Sequence, residues 1–212
     1  YTWQGMDAYP TPAVQTPVPF TAWMRSAGIT TDGSSVIFGA TDNTVLHSKD
    51  GVNFFNYWPL LSWYSATWSM TCTNATTCYG GQIKRQVIKT TNGGDTWVLA
   101  ARVGTDELNA NCLSDKYPPD GIQRRYYGIA FATENYGWVV GSCGLLYRTI
   151  NAAQGWIAQN DGSISQETQF RRIQAFSRWS AVAVGGENPD PADASMAQNA
   201  VVYTGEDDDK DG

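Results

Sequence analysis

Two arginine doublets are the groups best placed to do chemistry: Gln123-Arg124-Arg125-Tyr126-Tyr127 and Gln169-Phe170-Arg171-Arg172-Ile173. A guanidinium offers five donors in a fixed fork that fits a carboxylate, and its flat face stacks on aromatic rings. With Tyr and Phe beside them, Arg124, Arg125, Arg171 and Arg172 are candidates for binding carboxylates or a protein surface. The plain alternative is charge pairing with nearby acids. Both doublets stand at comparable places, just before an apolar stretch.

Other reactive types are sparse. His47 is the only histidine, so a His-based triad or metal site has no second member, and a packed or hydrogen-bonded role is expected. A sialidase-type hydrolase needs an arginine cluster, a Tyr–Glu pair and an acid. Arg25, Arg124, Arg125, Arg171, Arg172 and Arg178 could supply the first. However, Arg172-Ile173 is followed by Gln174 and not by the Pro of an Arg-Ile-Pro signature. Retaining chemistry also needs two carboxyl groups about 5–5.5 Å apart, and acids are scarce in the apolar stretches. The expectation is that the chain is not an enzyme. Near the end, Asp207, Asp209, Asp211 and Gly212 match the first half of an Asp-x-Asp-x-Asp-Gly calcium loop. Those three aspartates are the candidate calcium ligands, against the alternative of a solvated acidic tail. No other cofactor is expected.

The elements that would position these groups repeat along the chain. Thr90-Thr91-Asn92-Gly93-Gly94-Asp95-Thr96-Trp97 is hairpin-turn chemistry, because Asn and Gly adopt positive φ at little cost. Ser48-Lys49-Asp50-Gly51-Val52-Asn53-Phe54-Phe55 has the same layout with Phe55 in the Trp place. Thr149-Ile150-Asn151-Ala152-Ala153-Gln154-Gly155-Trp156 keeps Thr149, Asn151 and Trp156 but has lost both turn glycines. A fourth start is expected at Thr204. Each turn follows two short apolar strands separated by a Gly and a turn, as in Val36-Ile37-Phe38-Gly39 to Val45-Leu46-His47. Short strands of this composition, at a period of roughly 40–50 residues, predict an all-β propeller of about four blades, or part of a larger ring.

This layout resembles the Asp-box (BNR-repeat) β-propellers over residues 27 to 204. Within that group, Gly137-Trp138-Val139-Val140-Gly141 followed by Gly144, Thr149 and Trp156 looks like the blades of the photosystem II stability and assembly factor family. The resemblance implies that Ser48, Asp50, Gly51, Thr90, Asn92, Gly93, Gly94, Trp97, Thr149, Asn151 and Trp156 are structural. It also implies an arginine-rich face that contacts a client protein. A fold of this kind does not by itself fix function.

Composition narrows the class. Charged residues are only 16% and aromatics 13%, which suits a packed core and not a disordered chain. Net charge is −6, of which the run Glu206 to Asp211, five acids and one Lys, carries −4. Nothing is basic enough for a nucleic-acid partner, and no apolar run reaches the ~18 residues of a membrane span. The four cysteines allow three pairings. Cys72–Cys78 and Cys112–Cys143 are the expected ones, with four free thiols as the alternative. Asn74-Ala75-Thr76 is an N-glycosylation sequon between the first two cysteines, which with them favours a secretory route.

The expected organisation is a Pro-rich extended arm over 1–26, blades over 27–206, and an acidic tail over 207–212. Insertions are expected at Arg102 to Arg125 and Glu187 to Gln198, and loops on rigid scaffolds tend to carry binding residues. Trp58, Trp63 and Trp68 could stack on a glycan, but packing between blades is the commoner use. The reading is a non-catalytic secreted scaffold that binds protein partners or copies of itself, with a thylakoid-lumen assembly role or a glycan-binding, sialidase-like one as its alternatives.

Overall fold

A computed structural model of the chain describes residues 23–41, 44–57, 66–83, 85–104, 125–160, 162–165, 167–187 and 200–205. The described residues are all-β, in four antiparallel sheets. The first sheet is β1(Met24–Ile29), β2(Val36–Ala40), β3(Val45–Ser48) and β4(Phe55–Tyr57), in that spatial order. The second is β5(Thr67–Cys72), β6(Cys78–Gln82), β7(Gln86–Thr90) and β8(Val98–Arg102). The third is β9(Tyr126–Phe131), β10(Gly137–Gly141), β11(Leu146–Thr149) and β12(Ile157–Ala158). The fourth has three strands, β13(Thr168–Ala175), β14(Ala181–Glu187) and β15(Ala200–Gly205). Every strand pairs with its sequence neighbour, which is the meander of a propeller blade.

Successive sheets stack through their first strands, β1 against β5, β5 against β9 and β9 against β13. The core therefore lies in the seams between blades. Ile37, Val45, Met70, Cys78, Ile88 and Trp97 fill the first seam. Tyr79, Val87, Tyr126, Ile129, Val139 and Tyr147 are among those filling the second. Trp138, Val140, Leu146, Phe170 and Ala183 belong to the third. Strands covered on both faces favour apolar or small residues, and β6 and β10 are buried along their whole length, the polar Gln82 ending β6 with its Nε2 donating to Thr67 Oγ1 at 3.0 Å. That preference explains Cys-Tyr-Gly-Gly and Gly-Trp-Val-Val-Gly where an alternating pattern might be looked for.

The strand pairing places blade 1 at 24–57, so residues 24–26, expected in an arm, belong to its first strand. Residues 1–22 of that expected arm, residues 105–124 and 188–198 of the two insertions (Cys112 and Arg124 among them), Trp58, Trp63 and the tail with Asp207, Asp209 and Asp211 lie outside the described residues. Cys72 and Cys78 face each other across β5 and β6 and are joined by a disulfide. Cys143 is also disulfide-bonded.

Candidate functional site

Each blade has two ends. At one end lie the turns between third and fourth strands, which carry the repeated motif. At the other, every first strand carries a β-bulge.

The turns are held by their own side chains. Thr90 Oγ1 accepts from Gly94 N at 3.0 Å, and Asn92 Oδ1 accepts from Thr96 N at 2.9 Å. Thr149 Oγ1 likewise accepts from Ala153 N at 3.1 Å, and Asn151 Oδ1 from Gly155 N at 2.8 Å. Ser48 Oγ reaches Gly51 N at 2.9 Å, one residue sooner, while Asp50 Oδ1 accepts from Val52 N and Asn53 N. Those two backbone donors, with the Asn53 side chain, hold the Asp50 carboxyl well below the usual carboxylate range. Because this first turn is tighter, Phe55 is 37% exposed and does not take the buried place of Trp97, which is 3% exposed. Trp97 Nε1 donates to Gly94 O at 3.2 Å. Trp156 is half-buried, packs edge-on against Phe131, and leaves its Nε1 unpaired. These hydrogen bonds close turns and leave no open coordination site.

His47 lies on β3, between Ile37 of β2 and Phe55 of β4. Its Nε2 is 3.8 Å from Asp95 Oδ1 of the next blade's turn, and its Nδ1 is buried without a partner. Burial lowers its pKa, against the raising effect of Asp95. Asp95 also accepts from Lys49 Nζ at 2.6 Å. Among the described residues, no three His, Cys, Asp or Glu side chains converge as a metal site.

The bulge end is different in chemistry. The register slips between Met24 and Ser26, between Thr67 and Ser69, between Tyr126 and Gly128, and between Phe170 and Arg172. The extra residues are Arg25, Trp68, Tyr127 and Arg171, one per blade. A bulged residue has no ladder partner and turns its side chain out of the sheet. Here the four side chains meet in a row across the seams. The Arg25 guanidinium lies 4.5 Å from the Trp68 ring centroid. Trp68 packs edge-on against Tyr127 at 5.3 Å, and the Arg171 guanidinium sits 4.3 Å from Tyr127. Trp23 and Arg125 extend the cluster, Trp23 5.2 Å from Arg25 and Arg125 5.7 Å from Trp68.

Glycines make the bulges possible. The residue opposite each slip is Gly39, Gly81, Gly141 or Gly185. A Cβ on Gly141 would collide with the Arg125 carbonyl oxygen, and one on Gly185 with that of Gln169. The recurring glycine late in each second strand was thus the sequence signal for a bulge.

The row is electrically open. Among the described residues, the ion pairs are those of His47 and Lys49 with Asp95, so no acid neutralises Arg25, Arg125 or Arg171. Arg25 Nε and Trp68 Nε1 are buried donors without partners. A buried unpaired donor costs about 1–3 kcal/mol, which a ligand carbonyl or carboxylate would recover. Of the doublet residues, the bulges select Arg171 into the row and leave Arg125 at its flank. Arg172 is exposed and donates to the Arg171 carbonyl at 2.8 Å. Arg25 was named only for a sialidase-type cluster, Trp68 only for glycan stacking and Tyr127 only as a neighbour of the first doublet; their alignment with Arg171 was not foreseen, because it depends on register and not on spacing.

Four meander sheets stacked through their first strands define a β-propeller. Solved structures agree on this fold. A structure described as YCF48 bound to D1 peptide has a TM-score of 0.57 at 14% identity, covering 87% of this chain and 51% of its own. YCF48 from Cyanidioschyzon merolae gives 0.58 at 12% identity, covering 88% and 52%. A GH74 xyloglucanase from Xanthomonas campestris gives 0.59 at 12% identity, covering 85% and 29%. The chain therefore spans about half the length of the YCF48 structures and under a third of the xyloglucanase. No family model and no curated protein matches the sequence. The expectation that the chain is not an enzyme needs correction. Its fold is shared with glycoside hydrolases as well as with non-enzymes, so a propeller with few internal acids is not thereby set apart from catalysts. In the described residues no helix is long and apolar enough to cross a membrane.

Proposed function

We propose that this chain is a protein-binding propeller of the Asp-box type, and that the Arg25–Trp68–Tyr127–Arg171 row receives an extended segment of its partner. The observation that carries the reading is that a continuous cation–aromatic row is left without an acid among the described residues. Stacked arginines keep their edge donors free for carboxylates and main-chain carbonyls while the rings cover apolar side chains. A row crossing four blades suits an elongated ligand better than a compact one. The likeness to YCF48 bound to a D1 peptide supports an assembly-factor version of the same reading, in which the partner is a client protein. A secreted or lumenal location, with glycan on Asn74, belongs to this proposal. The disulfide-bonded Cys72, Cys78 and Cys143 support it.

The test is selection of random 12-residue peptides on the purified chain, with affinities measured by calorimetry. Enriched peptides should be rich in Asp and Glu. They should lose at least tenfold in affinity to an Arg25→Gln/Arg171→Gln variant whose thermal unfolding matches wild type. Peptides that bind the double variant equally well would overturn the reading.

A further inference from the structure

The three seams between blades are built by one rule. The first and third residues after each bulge turn toward the next blade. In blades 1 to 3 they are small: Ser26 and Gly28, Ser69 and Thr71, Gly128 and Ala130. A Cβ on Gly28 would lie 3.4 Å from Met70 Cβ, and one on Gly128 3.1 Å from Ile173 N. Ser69 Oγ accepts from Ile129 N at 3.0 Å. The second and fourth residues turn toward the preceding blade and are apolar: Met70 and Cys72, Ile129 and Phe131, Ile173 and Ala175. The first-hairpin turns also touch across seams. Asn74 of the β5–β6 turn donates to Glu134 of the β9–β10 turn at 2.6 Å. Tyr136 of that turn packs on Trp179 of the β13–β14 turn at 6.1 Å.

Two faces built this way carry no blade among the described residues. Blade 1 has an apolar face where a preceding blade would sit. Ala27 and Ile29 turn outward there, in register with Phe38 and Val36, and Ile29 is 61% exposed. Blade 4 has the opposite kind of face. Arg172 and Gln174 hold its two outward positions, opposite Val184 and Val182. Phe176, two residues on, is 67% exposed, whereas its counterpart Ala132 packs into the third seam with Ala175. With Ile29 and Phe176 both bare, blade 4 does not close on blade 1 of its own chain. The two faces nevertheless match. Ala27 is smaller than Met70, Ile129 and Ile173 at the same position, which leaves room for the Arg172 stem. Phe176 would cover Ile29 as Ala132 meets Ala175. Asp32, exposed on the β1–β2 turn, would meet Arg178 of the β13–β14 turn as Glu134 meets Asn74.

We propose that blade 4 of one copy of this chain seats on blade 1 of a second copy, and that two copies close a two-fold ring of eight blades. A contact between unlike faces makes a ring when its rotation closes and an open polymer when it does not. Four sheets in each copy bring the ring to eight blades, within the ordinary range for propellers. One chain also spans about half the length of the YCF48 structures. Size, apolar cover and charge thus favour a second copy over an unrelated partner. At the bulge end the contact sets Arg171 beside Arg25 of the second copy, a repulsion that the Arg178–Asp32 pair at the other end opposes.

Sedimentation equilibrium of the full chain tests this. It should give twice the chain mass at micromolar concentration. Ile29→Asp and Phe176→Asp should each return it to single-chain mass with an unchanged circular dichroism spectrum, since both side chains are exposed. Asp32→Arg should weaken the dimer severalfold, and Arg178→Asp added in the same chain should restore it. Cysteine pairing reads the arrangement. Chains carrying only Ile29→Cys, mixed with chains carrying only Phe176→Cys, should oxidise to a linked pair, and neither should do so alone. A single-chain mass up to millimolar concentration overturns the proposal. So does a dimer that survives Phe176→Asp, which would be built on like faces. A disulfide within one chain of the Ile29→Cys/Phe176→Cys double variant, or an open polymer, overturns the two-copy ring. None of these readouts uses an acidic peptide, so they stand or fall apart from the proposed partner row.

Discussion

The third turn holds two alanines in a conformation made for glycine, and their replacement separates strain from packing. Ala152 has φ 57° and Ala153 has φ 68°. Left-handed backbone costs a residue with a Cβ about 1–2 kcal/mol. Glycine removes that cost but returns about 0.5–1 kcal/mol through its greater freedom in the unfolded chain. Ala152 is half-buried, and its contacts here are main-chain ones, its N–H to Asn135 O and its carbonyl from Tyr79 Oη. Glycine keeps both. Ala152→Gly should therefore stabilise the protein by about 0.5 kcal/mol, a rise of ~1–2 °C in Tm for a chain of this size.

Ala153 differs in one respect. It is fully buried in the seam cluster with Tyr79 and Val139. Losing its methyl costs about 0.8 kcal/mol in burial, with a cavity cost added. Ala153→Gly should come out about 1 kcal/mol below Ala152→Gly, because strain and chain entropy are common to the two and cancel in the comparison. Urea unfolding of both variants, at matched slopes, measures that difference. An Ala153→Gly protein as stable as Ala152→Gly would refute the reasoning, since the buried methyl would then contribute nothing to the seam.

Three further outcomes follow from the same end of the blades. Gly94→Ala, at φ 102° and with its Cβ position 2.9 Å from His47 Cβ, should destabilise by about 2–4 kcal/mol in urea unfolding. Replacing Cys72 and Cys78 by Ser should cost about 2 kcal/mol, the loop-closure term for a separation of 6 residues, measured by calorimetry with Cys143 left intact. His47 has its pKa lowered on folding, so the unfolded chain takes up the proton first. Stability should then be level above the ordinary value of 6.5 and fall as pH drops from there towards the folded value, and a His47→Gln variant should show a flatter profile over that window.

The blades were legible because their signals are local. A Thr, an Asn and a Trp at fixed offsets close one turn, so Thr90, Asn92 and Trp97 could be read without knowing what they pack against. Ala152 and Ala153 did not hide the third copy, because Thr149 and Asn151 still make the closing hydrogen bonds. The misreading within the turns, Phe55 in the Trp place, came from counting residues across a turn that is one residue tighter. Its Ser48 Oγ bonds three positions on and not four.

The cation–aromatic row was only half legible, and the reason is register. Both doublets were visible, yet sequence spacing gives no means to choose between Arg171 and Arg172. In an undistorted strand, neighbours point to opposite faces. The bulge breaks that rule at one residue per blade, and where it falls depends on pairing with the next strand. Gly39, Gly81, Gly141 and Gly185 were all in view as punctuation between strands. Their close contacts show them to be the clearance that lets Arg25, Trp68, Tyr127 and Arg171 turn out together. The consequence is a division of labour between the two ends of each blade. Substitutions in the turns should be read in stability, whereas Arg25 and Arg171, whose guanidiniums no described acid pairs, can change while the blades stay intact. A fold whose bulged residues are freed from the ladder in every repeat can vary that row, blade by blade, at little cost to what holds it together.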